Sequence, residues 1–478
     1  MPKRGDRVKA SQGKANEIYH LTESQTMGQI LSSPVIDKEV RSGTDEFTSY
    51  AVSSMQGWRV SMEDSHIVNL NVCNGTAMEQ HVAFYAVFDG HGGPKVARFC
   101  GERLVSILKS QDDFQKRLFE KALRETYFLV DKELLKNQNF NNDRSGATAT
   151  SVLISQDKGF LICANAGDTR AVLSTDGTAK PLSFDHKPTL PVESERIIAA
   201  GGFVDMGRVN GNLALSRAIG DFEYKSNKDL LPQEQQVTCS PDLIRHDINY
   251  QNDEFVIVAC DGIWDCLSSQ DCVELIHYGI NQGTMTLTDI ASRIIDVCCS
   301  PTTEGSGIGC DNMSIIIVAL LQQNESLHRW FERIAHKKHS TPISFEQKRR
   351  EIYQDYEFPV DDRLVFETTF PREESADDKI KKVALYSEEI PEEPSKNEEE
   401  SNEPPLNLLS LDSLLKMGNK MNETPNTETL FHGHPLAEMI HSLSDASAGE
   451  TCPDTDYCDE ENVTNNNEDN DADNDASI

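Results

Sequence analysis

Four separate places in this 478-residue chain set carboxylates beside short apolar runs. The first is Arg59-Val60-Ser61-Met62-Glu63-Asp64, which follows Gln56-Gly57-Trp58. The second is Asp89-Gly90-His91-Gly92-Gly93, entered from Phe84-Tyr85-Ala86-Val87-Phe88. The third is Asp261-Gly262-Ile263-Trp264-Asp265, entered from Phe255-Val256-Ile257-Val258-Ala259-Cys260. The last is Asp311-Asn312, directly ahead of the apolar residues 314–320. Taken singly, Asp89-Gly90 reads as a hairpin turn, since Asp-Gly is the commonest short hairpin signal. Turns alone do not require an acid beside each of three apolar strands. In an antiparallel sheet, Asp89 and Asp261 at strand ends and Asp311 at a strand start can meet at one edge.

Carboxylates gathered in a cleft repel one another and take up protons unless cations balance them. Glu63, Asp89, Asp261 and Asp311 together carry −4, the charge that two divalent cations neutralise. An all-oxygen set, without paired His or Cys ligands, suits Mg2+ or Mn2+ rather than zinc. An incoming phosphate dianion then meets no net repulsion, and Arg59 offers it a fork of N–H donors. Two metals sharing a bridging water lower its pKa and favour in-line displacement. His91 is then available as a general acid for the leaving oxygen.

The elements that must position these residues are legible as short runs. Residues 48–53, 67–72, 82–88, 149–155, 159–166, 171–174, 255–260 and 314–320 predict strands. Helical spacing predicts helices over 95–110 and 113–137, with shorter ones over 192–200, 269–279 and 287–298. Successive strands joined by short turns predict an α+β protein of antiparallel sheets with helices laid outside. Residues 1–44 read as a flexible N-terminal extension, 45–322 as the catalytic domain and 323–375 as a small helical appendage. Residues 376–478 are dominated by Glu, Asp, Asn, Ser and Pro and predict a disordered acidic tail. Two amphipathic islands interrupt that tail, at 406–417 and 434–443.

Lys plus Arg total 45 against 79 acids, a net charge of −34, which excludes a general nucleic-acid binder. Thr451 to Ile478 holds ten of the acids and no Lys or Arg. No apolar run approaches the length of a membrane span, and the N-terminus lacks the apolar segment of a secretory signal. The twelve cysteines form no CxxC pair, and several sit inside apolar runs, so a reducing compartment, cytoplasm or nucleus, is expected. Met27-Gly28-Gln29-Ile30-Leu31-Ser32 fits the N-myristoylation signature, which acts only where Gly28 follows an initiating Met27.

The motifs reach a family when they are read in order. Arg59-x-x-x-Glu63-Asp64, Asp89-Gly90-His91-Gly92-Gly93, Ser145-Gly146-Ala147-Thr148-Ala149, Ala166-Gly167-Asp168-Thr169-Arg170, Asp261-Gly262-Ile263-Trp264-Asp265 and Asp311-Asn312-Met313-Ser314 resemble the metal-dependent serine/threonine protein phosphatases of type 2C. The likeness covers roughly residues 45–322 and is greatest to the fungal branch with acidic C-terminal extensions. It implies two packed antiparallel sheets flanked by helices, a four-layer α-β-β-α sandwich, with the metal site at one end. It also implies a binuclear Mn2+ or Mg2+ centre, a metal-bound hydroxide as nucleophile and His91 as proton donor. Asp89 would bridge both metals with help from the Gly90 carbonyl. Asp261 and Asp311 would complete one site, and Glu63 would hold the waters of the other. Asp64 and Asn312 would orient water, and Thr148 would line the site. Asp168 and Asp265, with Asp261, match a third, weaker metal site. Arg59 would bind the substrate phosphate, and Arg208 would lie in a flap that recognises substrates.

The implied substrates are phosphoproteins, stress-activated or cell-cycle kinases among them, and the expected state is a monomer in the cytoplasm and nucleus. A scaffold that keeps the fold without activity would be expected to have lost a metal carboxylate, and none is missing. A hydrolase of small phosphates is the other alternative. No Cys sits in a Cys-x5-Arg loop with the phosphate-cradling glycines of a thiol phosphatase (the five residues between Cys239 and Arg245 include none), which separates the chain from that class. Two departures stand out. Residues ahead of Met27 are extra relative to the family, and the acidic tail carries no family motif.

Overall fold

The computed structural model describes residues 30–73, 81–140, 142–304, 306–337 and 343–354. Residues 406–417, 434–443 and the acidic tail lie outside that set, as does Gly28. The first sheet has six strands in the order Ile30–Thr44, Thr48–Arg59, Met313–Leu320, Asp253–Ala259, Arg170–Thr175 and Thr178–Pro181. The second has five: Asp242–Asp247, Phe160–Ala166, Ala149–Ser155, Val82–Phe88 and Ser65–Asn69. Every neighbouring pair in both sheets is antiparallel.

Val82–Phe88 shows why the central strands read as unbroken apolar runs. Successive side chains point to opposite faces. Ala83, Tyr85 and Val87 pack between the sheets with Val152, Ile154, Val256, Val258 and Ile316. Val82, Phe84, Ala86 and Phe88 point the other way, onto the helices Lys95–Lys109 and Phe119–Lys136. On the far side, Ser269–Asn281 and Leu287–Cys298 cover the first sheet. The result is the expected four-layer α-β-β-α sandwich. Both faces of its central strands are buried, so neither shows polar alternation. No described helix is long and apolar enough to cross a membrane. All ten described cysteines are free.

Three expectations change. Residues 30–44 are not a flexible extension throughout: Ile30–Thr44 is the edge strand of the first sheet, paired from Ile30↔Arg59 to Thr44↔Ser49. Its charged side chains suit an edge, and Lys38 Nζ is anchored 2.6 Å from the buried Asp296 Oδ1. The helix expected over 113–137 is broken, because Arg117 takes φ +59 between Asp112–Gln115 and Phe119–Lys136. The described residues after 322 do not form a separate appendage, because Leu327–Ala335 and Phe345–Ile352 enter the first sheet's apolar layer. Trp330 is fully buried there and donates its indole N–H to the Glu254 carbonyl at 3.1 Å.

That burial gives a quantitative test. Trp330→Ala should lower the unfolding free energy by about 3–5 kcal/mol, measured by denaturant titration. A loss below about 1 kcal/mol would mean that this helix is peripheral after all.

Candidate active site

Register brings the acids together. Met313–Leu320 runs antiparallel to Asp253–Ala259, with Ala259 opposite Ile315, so Asp311 and Asn312 arrive beside Asp261. The same strand pairs Met313 with Met55, which carries Arg59 and the 61–64 loop to that edge. Val82–Phe88, in the other sheet, delivers Asp89. Two glycines permit the close approach. A Cβ at Gly90 would stand 2.2 Å from the Glu63 carbonyl oxygen, and one at Gly262 would stand 2.0 Å from that of Asn312. Asp261 then opens a single helical turn, Asp261–Trp264.

The cleft at this edge has a volume of about 530 Å³ and is lined by Arg59, Glu63, Asp89, Gly90, His91, Thr148, Asp168, Arg208, Asp261, Asp311 and Asn312, among others. Most of the residues singled out from the sequence therefore share one cavity. Asp64 sits behind it, accepting from Ser314 Oγ at 2.7 Å. Asp265 stays at the exposed end of the turn after Asp261, its N–H donating to the Asp261 carbonyl at 2.8 Å.

The hydrogen bonds fix the cleft from several directions. Arg59 Nη2 donates to Asp311 Oδ2 at 2.5 Å. Glu63 accepts from Ser61 Oγ at 2.9 Å and from the Gly93 N–H at 3.1 Å. Asn312 Oδ1 accepts the Glu63 N–H at 2.9 Å, while its amide nitrogen donates to the Gln56 and Ser61 carbonyls at 2.8 and 3.0 Å. Asn312 is thereby a brace for the loop that carries Glu63. Thr148 Oγ1 accepts the Asp89 N–H at 3.2 Å, and the Thr148 N–H donates to the Asp89 carbonyl at 2.9 Å. Arg208 is exposed on the hairpin Val204–Asp205/Arg208–Val209 and donates to the Asn212 carbonyl at 2.7 Å.

Charge is the outstanding property of the site. Burial, then the like charges of Asp261, Asp64, Asp311 and Asp168, push the Asp89 carboxyl well above its ordinary range. Burial and the charges of Asp168, Asp311 and Asp265 do the same to Asp261. Asp64 is raised to about 7, by burial first and by Asp311 with it, against the opposing Ser314 hydrogen bond. Asp311 is also raised, chiefly by burial, although Arg59 opposes the shift. Such a set is under strain as free anions and fits divalent cations. A Cys260 ligand atom lies within 4.8 Å of ligand atoms on Asp64 and Asp89. Burial, then those neighbouring carboxylates, hold its thiol well above the usual range. Its sulfur is engaged with the Ser314 N–H at 3.1 Å and the Asn312 carbonyl at 3.6 Å. The donors left for a cation are oxygens, which favours Mg2+ or Mn2+.

Two partners escaped sequence reasoning. Lys187 Nζ pairs with the buried Asp168 carboxylate. Asp221, only 3% exposed, lies with Oδ2 2.7 Å from His91 Nε2. Burial works against a charged His91, but the charge and hydrogen bond of Asp221, with Asp168 and Glu63, raise its pKa on balance. Asp221 had a faint signal, an acid after Ala218-Ile219-Gly220, but that apolar run was too short to separate it from an ordinary turn.

Comparison with known proteins points to one family. The family model described as "Protein phosphatase 2C" matches residues 48–307. "Protein phosphatase 2C homolog 2" of Saccharomyces cerevisiae is 56% identical over 345 residues, covering 72% of this chain and 74% of the relative. "Protein phosphatase 2C homolog 3" of Schizosaccharomyces pombe is 53% identical over 309 residues, covering 65% and 73%. Among solved structures, a serine-threonine phosphatase 2C from Toxoplasma gondii superposes with TM-score 0.51 at 20% identity, over 59% of this chain and 99% of that one.

The raised carboxyl pKa values set a pH dependence for the metal-free protein. A group whose folded pKa is raised stabilises the fold below its unfolded pKa, and that contribution is lost as pH climbs through the folded value. With chelator present, the unfolding temperature should fall from about pH 4, where the unfolded carboxyls titrate, through about pH 7, where folded Asp64 does. Mn2+ should restore more of it at the upper end, where the ligands are already deprotonated. Asp89→Asn should flatten the slope. Calorimetric scans in which the slope persists unchanged in Asp89→Asn would remove the cluster as its cause.

Proposed function

The chain belongs to the protein phosphatase 2C family and is a metal-dependent protein serine/threonine phosphatase, and from that premise we propose how its own residues divide the work. The observation that carries the proposal is the meeting of Asp89, Asp261 and Asp311 with Arg59 and His91 in one cleft.

Asp89, Asp261 and Asp311, with Glu63 and the Gly90 carbonyl, would hold two Mg2+ or Mn2+ ions; Asp168 and Asp265, with Asp261, would hold a weaker third. Ions bound there supply the positive charge that lowers the pKa of an attacking water and neutralises the phosphoryl oxygens. Arg59, whose side chain is about two-fifths exposed, engages the incoming phosphate through its guanidinium N–H groups. His91 gives a proton to the departing serine or threonine oxygen. Asp64 and Asn312 orient water, Asn312 by bracing the Glu63 loop, and Thr148 secures the backbone of Asp89. Arg208, which reaches the cleft from a separate hairpin, would contact residues beyond the phosphate, which favours a protein over a small ester. Stress-activated or cell-cycle kinases phosphorylated on their activation loops are the proposed substrates, met by a monomeric enzyme in the cytoplasm and nucleus.

Hydrolysis of a phosphothreonine activation-loop peptide and of 4-nitrophenyl phosphate tests the reading. Activity should require Mn2+ or Mg2+, vanish in EDTA and fall about a hundredfold or more in Asp261→Ala. Arg59→Ala should raise KM for the peptide by about tenfold to a hundredfold, the loss of a charge-assisted bond worth about 1.5–3 kcal/mol. Titration calorimetry should count two tight ions per chain. Activity indifferent to EDTA, or greater efficiency on the small ester, would overturn the mechanism or the substrate class respectively.

A further inference from the structure

The contact between Asp221 and His91 is more than a local ion pair, because three segments are built around it. Asp221 directly follows Ile219–Gly220, which pairs with Gly146–Ala147. The other edge of Gly146–Ala147 pairs with Gly90–His91. Carboxylate and imidazole thus come from the two outer strands of a three-stranded ribbon and meet above its middle strand. That middle strand must carry glycine there: a Cβ at Gly146 would stand 2.1 Å from Asp221 Oδ2 and 2.5 Å from His91 Nε2. Asp221 itself takes φ +52, a conformation that a non-glycine residue adopts only when its surroundings impose it. They do so here. Its N–H donates to the Ser145 carbonyl at 3.3 Å, and the preceding Gly220 N–H donates to Asp131 Oδ1 at 2.8 Å. Lys225 Nζ ties Asp131 to the Ala218 carbonyl, at 2.9 and 2.8 Å. Asp221 is almost wholly enclosed, whereas about a quarter of the His91 side chain remains exposed and lines the cleft.

We infer that Asp221 is the positioning residue of the reaction, holding His91 through its Nε2–H so that Nδ1 is the nitrogen that delivers the proton. The inference rests on the general-acid role proposed above for His91. A carboxylate only accepts, so it selects the ring state that carries a proton on Nε2. As the P–O bond to the substrate side chain breaks, its electron pair leaves with the oxygen, and the proton on Nδ1 moves to that oxygen. The ring is left neutral, still donating Nε2–H to an unchanged Asp221. The oxygen of the attacking water forms the new P–O bond. One of its protons stays on the phosphate and the other passes to solvent, from which Nδ1 is reprotonated. The products are the free hydroxyl side chain and inorganic phosphate.

The test compares leaving groups in the Mn2+-loaded enzyme. A threonine alkoxide needs a proton to depart, whereas 4-nitrophenolate does not. Asp221→Asn, whose amide can offer an N–H to Nε2 and reverse the ring's tautomer, should lower kcat on a phosphothreonine peptide by about a hundredfold. The loss on 4-nitrophenyl phosphate should be at least about tenfold smaller. His91→Gln should show the same selectivity, and the double variant should be no worse than His91→Gln alone. Gly146→Ala, which wedges a methyl group between the pair, should reproduce the pattern if Asp221→Asn fails to fold. Equal losses on both substrates in these variants, or reduced Mn2+ stoichiometry by calorimetry, would reassign Asp221 to structure or metal retention and overturn the inference. A His91→Gln enzyme without leaving-group selectivity would instead overturn the general-acid reading itself.

Discussion

Repulsion among carboxylates is the constraint on which the rest of this structure depends. Asp64, Asp89, Asp261 and Asp311 are crowded closely enough that burial and one another's charge raise their pKa values. A flexible scaffold would relieve that crowding by spreading the acids apart. This one cannot, because each acid is fixed at the end of an element with little freedom to move. Val82–Phe88 and Asp253–Ala259 are buried along their whole length, packed by the opposite sheet on one face and by helices on the other. Displacing Asp89 or Asp261 would mean sliding a central strand, and a shift of one residue would exchange its two packed faces.

The same reasoning explains what was legible in the sequence. Strands buried on both faces appear as apolar runs, and an acid that ends such a run has no structural reason to be there, so Asp89, Asp261 and Asp311 could be found without coordinates. The edge strands could not. Ile30–Thr44 and Asp242–Asp247 are partly exposed and rich in charge, so their composition is that of a loop. Their pairing is decided by the strands beside them. The helix Leu327–Ala335 was set apart for a different reason. Leu327, Trp330, Phe331 and Ile334 recur at the spacing of one buried face, but that spacing does not say what the face covers, and Trp330 fills the layer over Phe255.

Partnerships between distant residues were the least legible. Asp221 and His91 are separated by 130 positions. Gly146 matters to them only because two side chains meet where its Cβ would be. A glycine in a Ser-Gly-Ala-Thr stretch gives no hint of that crowding. Lys187 and Asp168 pair across a loop whose conformation local propensity does not determine. Sequence pattern therefore located the acids proposed to hold cations but not the groups that hold those acids, or the histidine, in place.

The two walls of the cleft are built differently, and the difference has consequences for catalysis. The sheet edge is backed by large apolar layers, whereas Arg208 stands on a flap whose own core is five buried residues: Ile197, Val209, Ala218, Tyr224 and Val237. Ionic contacts tie that flap to the sandwich. Glu193, 2% exposed, accepts from Arg196 Nη1 at 2.7 Å and from Arg217 Nη2 at 2.6 Å, and Arg217 also reaches Asp242 on the second sheet at 2.7 Å. Burial alone would raise the Glu193 carboxyl, but the two arginines hold it down at about 2. Enclosed ion pairs of this kind contribute little net stability, because desolvation offsets their attraction, but removing one partner strands a charge. Their value here is placement. Arg196 also donates to the Ser216 carbonyl at 2.6 Å, and the chain from Ser216 runs directly through Ala218 to Asp221. The anchor that sets the flap carrying Arg208 therefore sets the segment that holds His91. The substrate contact and proton delivery proposed above share one support, so on that proposal a disturbance at Glu193 reaches both while leaving the carboxylate edge, which is braced by the sheets, in place.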